Sequence, residues 1–146
     1  MKKLALLLLL AAACRQPTSA APAARPTGGA LATPSAAVEA FLQAVRTEDL
    51  QAMGAVWGTA EGPAREQMDR DTMEKREVVM MCYFRHDTYR IAGETPAASG
   101  VRNLVVELKR GKEQRTTTFT AIPARRGGWY VQRVDIEPVT DWCTRR

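Results

Sequence analysis

The sequence predicts an α+β fold in which N-terminal helices pack on a curved antiparallel sheet of about four strands. Up to about residue 82, apolar residues recur at the three- and four-residue spacing of buried helix faces. From residue 87 onwards, apolar and polar residues alternate, and glycine-containing turns separate the segments. Helices followed by a meander of strands are typical of a layered α+β domain.

Two helices are predicted at the start of the folded segment. The first runs from about 34 to 47, because Thr33 can accept hydrogen bonds from free amides and Pro34 fits the first turn. Asp49 is expected to cap a second, shorter helix that Gly58 ends. The apolar residues spaced for burial on these two helices are Val38, Phe41, Leu42, Val45, Leu50, Met53, Val56 and Trp57.

A third helix is predicted over about 63–82, and it carries the densest charge in the chain. Glu66 lies four residues before Arg70. Asp71 lies four residues before Lys75, and this acid-first order favours ion pairs on a helix surface. We therefore interpret the charged run as a solvated face. The residues predicted to point inward are Met68, Thr72, Val79 and Tyr83.

Four strands are predicted to complete the fold, over 87–91, 101–109, 114–122 and 129–138. Gly93 and Pro96 are expected to end the first strand. Turns at Gly111 and at the Gly127–Gly128 pair separate the last three. The residues predicted to share one face of the second strand are Leu104, Val106 and Leu108.

The first fourteen residues have an order of their own. Lys2 and Lys3 precede an apolar run over 4–10, and three alanines then lead to Cys14. This order resembles a bacterial lipoprotein signal peptide, which is cleaved directly before a cysteine whose thiol is acylated. The resemblance implies a signal peptide over 1–13 and a lipid anchor on Cys14.

Two other interpretations compete with a lipoprotein signal. A transmembrane anchor needs roughly 20 apolar residues, more than the run provides. An ordinary secretory signal that leaves Cys14 unmodified stays open. Residues 14–33 are rich in Pro, Ala, Gly and Thr, so we expect a flexible tether before a single domain over 34–146. In the enteric sorting scheme, an aspartate directly after the acylated cysteine retains a lipoprotein in the inner membrane. Arg15 stands at that position here, which favours the periplasmic face of the outer membrane.

Charge and motif content exclude several classes of function. Loss of Lys2 and Lys3 with the signal peptide would lower the formal net charge from +5 to +3. The other basic residues are interspersed with acidic ones, so we predict no nucleic-acid partner. The chain has one histidine and no clustered ligands, glycine-rich phosphate loop or nucleophile motif, so we predict no metal and no cofactor.

The segments AAVEAFLQAVRTEDLQAM and RRGGWYVQRVDI open and close the folded part. With the order of elements over about 34–138, they resemble the nuclear transport factor 2-like fold. This is the cone-shaped α+β domain of ketosteroid isomerases, polyketide cyclases and many small bacterial lipoproteins. The resemblance implies a concave pocket between helices and sheet, and it permits a homodimer through the sheet. Because the fold hosts enzymes, binders and scaffolds alike, it implies no single function.

An isomerase of this fold would need a carboxylate base and acidic or phenolic donors in the pocket. Tyr83, Tyr89 and Asp135 are the candidate pocket residues. His86 lies at a helix-to-strand junction, where we expect a surface position or a local hydrogen bond rather than catalysis. We predict no catalytic residue.

Cys82 and Cys143 remain as an even pair once Cys14 is assigned to the lipid. In an oxidising compartment such a pair is expected to form a disulfide, which would pin the C-terminus to the helices. The alternative is a redox or metal pair, although such motifs normally bring their cysteines close together in sequence.

Three functions agree with these observations. The favoured one is a non-enzymatic, membrane-tethered domain of the cell envelope that binds a small apolar ligand or an envelope protein. The alternatives are an isomerase- or cyclase-type enzyme that uses the cone pocket, and a purely structural envelope scaffold. A large apolar cavity would favour ligand binding, whereas a filled interior would favour a scaffold.

Overall fold

The computed structural model describes residues 29–144, so the predictions on residues 1–28, among them the acylation of Cys14, lie outside this range. Within it, the chain forms five α-helices, a two-stranded ribbon and a four-stranded antiparallel sheet. The predicted α+β class and four-stranded antiparallel sheet are confirmed. None of the helices over 29–144 is long and apolar enough to cross a membrane.

The first two helices form where the sequence predicts them. Helix α1 covers Pro34–Thr47, and the hydroxyl oxygen of Thr33 accepts a hydrogen bond from the amide of Ala36 at 3.1 Å. Helix α2 covers Leu50–Val56, and a carboxylate oxygen of Asp49 accepts a hydrogen bond from a first-turn amide at 2.9 Å. Each cap satisfies an amide that has no partner inside its helix.

The third predicted helix is interrupted. The region contains ribbon strands β1 (Gly58–Thr59) and β2 (Gly62–Pro63), helix α3 (Ala64–Gln67) and helix α4 (Arg70–Phe84). Met68 has an extended backbone, and Asp69 accepts a hydrogen bond from the amide of Thr72 at 2.9 Å. A single helix over 63–82 is therefore wrong, because Asp69 caps a new helix inside the charged run.

The main sheet is a meander of β3 (Thr88–Pro96), β4 (Arg102–Arg110), β5 (Glu113–Pro123) and β6 (Trp129–Val134). Gly93 does not end β3, because a bulge between Ile91 and Gly93 lets pairing continue to Pro96. The predicted last strand is too long. After β6 the chain enters a 3₁₀ turn at Glu137–Val139 and helix α5, Thr140–Thr144.

The core lies between the helices and one face of the sheet. Leu104, Val106 and Leu108 of β4 are fully buried, as their alternation predicts. Phe41 and Leu42 of α1 belong to the same apolar cluster. The sheet therefore has one face toward the helices, the usual arrangement for an antiparallel sheet in an α+β domain.

The two edges of the sheet differ. At β6, Leu31 forms a bridge with Trp129 through two backbone hydrogen bonds of 3.0 and 2.8 Å, and Trp57 bridges Val131. Gly128 lies so close to Ala30 that a Cβ atom there would be 2.6 Å from the alanine Cβ. Ala30 and Leu31, which the sequence assigns to the flexible tether, therefore belong to the folded domain. The outer edge of β3 has no neighbouring strand within 29–144, and the homodimer through the sheet stays a prediction.

A disulfide between Cys82 of α4 and Cys143 of α5 joins the C-terminal segment to the helices. The two Cα atoms lie 5.1 Å apart, across a sequence separation of 61 residues. Trp142 is buried beside the bridge, and the guanidinium of Arg110 lies 4.4 Å from its ring centroid. The indole nitrogen donates a hydrogen bond of 2.8 Å to Glu113. Several contacts therefore fasten the last helix to the sheet.

Replacing both cysteines, with Cys82→Ser and Cys143→Ser, is expected to lower the free energy of unfolding by about 4 kcal/mol, because the bridge restricts a long loop of the unfolded chain. Urea unfolding of the oxidised and substituted proteins measures the difference. Cys82→Ser alone is the control and should lose as much, since either change breaks the bridge. Equal stability of the wild type and the double variant would contradict this expectation.

Candidate functional site

Three phenylalanines occupy the space between the helices and the sheet. Phe41 of α1, Phe84 of α4 and Phe119 of β5 are fully buried. Their ring centroids lie 5.5, 5.7 and 6.4 Å apart in tilted or edge-on contacts, which add about 0.5–1.5 kcal/mol per pair beyond burial. The rings fill the volume in which the family resemblance implies a concave pocket.

The candidate pocket residues do not meet. Tyr83 and Tyr89 are partly buried against the core, whereas Asp135 is exposed. Tyr89 lies on β3 and Asp135 follows β6, so they sit at opposite edges of the sheet, about 14 Å apart by strand spacing alone. The carboxylate of Asp135 accepts a hydrogen bond of 3.1 Å from the amide of Glu137. The Asp135 carboxylate therefore caps a turn, and it does not face a tyrosine hydroxyl as a catalytic base would.

His86 is buried and makes a local contact. Its Nδ1 lies 2.8 Å from the carbonyl oxygen of Phe84, a distance at which an Nδ1–H donates a hydrogen bond to that oxygen. Burial lowers the pKa of His86, which favours the neutral ring. Tyr89 packs edge-on against the ring at 5.5 Å. The surface position considered for His86 is therefore wrong, and the local hydrogen bond is present.

A groove of about 780 Å³ opens on the helical side of the domain, between α1, α2 and the first turns of α4. The buried alanines Ala40 and Ala44 of α1 lie at its base. Exposed Gln43 and Gln51 lie toward its mouth. Small side chains on α1 leave this space open, because a larger residue at either alanine would extend into it. The groove is thus a concave surface outside the core.

The charged side chains that line the groove are mainly acidic. Glu48, Asp49 and Glu74 contribute carboxylates, and Arg70 contributes one guanidinium. Arg70 pairs with Glu74 at 2.6 Å, while Glu48 pairs with Arg85. Both pairs are solvent-exposed, and such pairs are weak. With Arg85 counted, three carboxylates face two guanidiniums, so the groove has a formal charge of −1, a small negative charge that favours a cationic group.

Glu77 is fully buried between α4 and α2, one turn beyond Glu74. Neither carboxyl oxygen has a hydrogen-bond partner among residues 29–144. Gly54 of α2 faces it, because a Cβ atom there would lie 2.7 Å from Glu77 Oε1 and 2.9 Å from the sulfur of Met73. Glycine at this position lets the carboxyl group pack against the α2 backbone.

Burial raises the pKa of Glu77 to about 7, and the negative charge of Glu74 adds to the rise. Below this pH the carboxyl group is neutral, and the fold bears the cost of its missing hydrogen bonds. Above it, the group carries an unpaired charge away from water, which is more costly. Helix α2, with the sequence LQAMGAV, brings no charged side chain to compensate it.

The predicted inward face of the third helix is wrong at Val79, whereas Tyr83 is partly buried against the core as predicted. Val79, expected to point inward, is 51% exposed, whereas Met73, Glu77 and Phe84 are buried. The buried face of α4 is rotated from the predicted face by about one residue, or roughly 100° around the helix axis. Glu77 lies four residues after Met73 and seven before Phe84, a spacing that identifies the buried face. Sequence reasoning missed Glu77 because it counted this residue with the solvated charge run.

Comparison with known proteins supplies no further assignment. No family profile matches the chain, and no curated protein or solved structure is significantly similar to it. Over residues 29–144, no group of three or more His, Cys, Asp or Glu side chains is placed to hold a metal ion.

Glu77→Gln removes the ionisable group and keeps its shape. The wild-type free energy of unfolding is expected to fall by about 2–3 kcal/mol between pH 5 and pH 8, because the unfolded chain releases this proton near pH 4.5 and the folded chain near pH 7. The variant should lack this part of the pH dependence, as measured by urea unfolding at both pH values.

The matched control is Glu66→Gln, which removes an exposed carboxyl group from α3 and should keep the wild-type pH dependence. The burial argument fails if wild type and Glu77→Gln lose stability equally between the two pH values.

Proposed function

We propose that this chain is a non-enzymatic, lipid-anchored domain of the bacterial cell envelope, and that it binds a basic segment of a partner protein in the groove between α1, α2 and α4. The observation that carries the binding role is the groove itself, a concave surface of about 780 Å³ between three helices. Because Phe41, Phe84 and Phe119 occupy the space between helices and sheet, the groove offers the concave surface for a partner.

The order of helices and strands supports a nuclear transport factor 2-like fold whose cone is closed by aromatic side chains. An isomerase or cyclase needs an open cavity and converging acid and base groups. Tyr89 and Asp135 lie at opposite edges of the sheet, so these acid and base candidates do not converge. The same filled interior argues against a small apolar ligand between the layers.

A protein segment suits the groove better than a small molecule. The groove is open to solvent, whereas small-molecule sites usually enclose most of the ligand surface. Half-buried Leu50 and Ala52 can contact apolar side chains, and the carboxylates of the lining can pair with lysine or arginine. A basic amphipathic segment carries both features on its two faces.

The position of the groove fits a lipid anchor. The order of residues 1–14 supports acylation of Cys14, and the chain then enters the domain at Leu31 on the edge of β6. The 16 residues between these points let the chain span at most about 60 Å. The groove lies at the C-terminal end of α1, about 20 Å along the helix from its first residue. An envelope protein within this reach of the membrane could therefore bind in the groove.

A structural scaffold is the second candidate, favoured by the filled interior alone. The binding domain requires a groove that takes up a basic segment, whereas a scaffold without a ligand does not. Binding in the groove distinguishes them.

Cys14→Ser is expected to abolish incorporation of labelled palmitate in a bacterial host and to move the protein from the membrane fraction to the soluble fraction, because the acylated thiol is lost. The Cys82→Ser/Cys143→Ser variant is the matched control and should keep the label. Label in Cys14→Ser, or none in the wild type, would refute the lipid anchor.

Gln43→Lys with Gln51→Lys places two positive charges at the mouth of the groove. Affinity for a fluorescent amphipathic peptide of lysine and leucine is expected to fall about fivefold or more, from repulsion of roughly 0.5 kcal/mol or more per exposed charge. Fluorescence anisotropy at low salt measures the change.

The charge-matched control is Gln114→Lys with Gln132→Lys, on exposed positions of β5 and β6 away from the groove. A peptide with glutamate in place of lysine should bind neither protein. Equal weakening by both pairs of substitutions, or no binding to the wild type, would reject the groove as the binding surface and leave the scaffold.

A further inference from the structure

We infer that the groove is gated by pH: ionisation of Glu77 releases the first half of α4 from α2, so that a partner binds at acidic pH and dissociates as the pH rises. This inference rests on the proposed binding of a basic segment in the groove. Glu77 is buried behind the groove and does not line it.

Glu77 lies inside the contact between α4 and α2. The side chain is fully buried, and its carboxyl oxygens lie against the backbone at Gly54 without hydrogen-bond partners over 29–144. A neutral carboxyl group can remain there at the cost of its missing hydrogen bonds. A carboxylate needs solvation, and water reaches it only if the two helices separate at this point.

The surrounding charges do not compensate the carboxylate. Glu74 is the charged neighbour that acts on Glu77, and its negative charge opposes ionisation. The other helices that pack near α4 carry charged residues, but none of them hydrogen-bonds Glu77 within the described part of the chain. These charged residues are Glu39 and Arg46 of α1, Arg65 and Glu66 of α3, and Asp141 of α5.

The ends of α4 are held differently. Its C-terminal half is fixed by the Cys82–Cys143 disulfide and by the burial of Phe84. Its N-terminal end follows the extended residue Met68, and exposed Asp69 caps its first turn. Ionisation of Glu77 therefore displaces the first turns of α4 and leaves the rest of the domain folded.

The displaced turns form one wall of the groove. Arg70 and Glu74 line the groove from α4, and they lie on the same turns as Met73 and Glu77. Leu50, Gln51 and Ala52 line it from α2. Separation of the two helices moves the walls apart, and a segment bound between them loses its contacts with one side.

Hydrogen exchange with mass spectrometry tests the gate without any ligand. Wild type, Glu77→Gln and Glu66→Gln are compared at matched pH between 5 and 8, which cancels the pH dependence of the chemical exchange rate. Protection of peptides covering 70–77 in the wild type is expected to fall roughly 50-fold relative to Glu77→Gln over this range. Glu66→Gln should follow the wild type. Equal protection of 70–77 in wild type and Glu77→Gln at every pH would overturn the gate.

Binding of the lysine–leucine peptide tests the coupling. The wild-type affinity is expected to fall at least tenfold between pH 5.5 and pH 8, and Glu77→Gln should retain its affinity. Unchanged wild-type affinity would overturn the coupling. If α4 opens as expected and the peptide binds at neither pH, the release of α4 stands and the proposed function fails.

Discussion

Packing of Phe41, Phe84 and Phe119 against one another holds the two layers of the domain together. Each ring comes from a different element, α1, α4 and β5, and each is fully buried. Protein interiors pack as densely as organic crystals, so these rings leave little freedom in the position of the C-terminal end of α4. They also occupy the interior that an open cone would offer to a ligand. Binding must then use a surface formed by the helices, and the groove is such a surface.

The same anchor explains the unusual position of Glu77. With Phe84 in the core, the rotation of α4 is set, and Met73 and Glu77 face α2. A glycine at position 54 makes the close approach sterically possible. The carboxyl group has no hydrogen-bond partner there within 29–144, so its ionisation destabilises the contact. A structural requirement of the core thus places an ionisable group at the wall of the groove.

The two ends of the described chain are fastened to opposite parts of the fold. Leu31 pairs with the edge of β6, while Cys143 is bonded to α4. The first contact covers a sheet edge that would otherwise present unpaired backbone groups. The second restrains the C-terminal half of α4 and leaves its first turns dependent on their contact with α2. The domain is therefore held at the point where the chain enters and at the disulfide, and the contact between α2 and the first turns of α4 borders the groove.

The sequence by itself determined the class of the fold, the first two helices and the alternation of β4, because caps such as Thr33 and the periods of apolar residues are local signals. It also singled out Cys82 and Cys143 as a pair. The tertiary structure decided the break at Asp69, the rotation of α4 and the filling of the space between helices and sheet. These depend on contacts between distant residues, such as Phe84 with Phe119 and Glu77 with Gly54. A charged run reads as solvated in sequence, and only packing shows that one of its acids is buried.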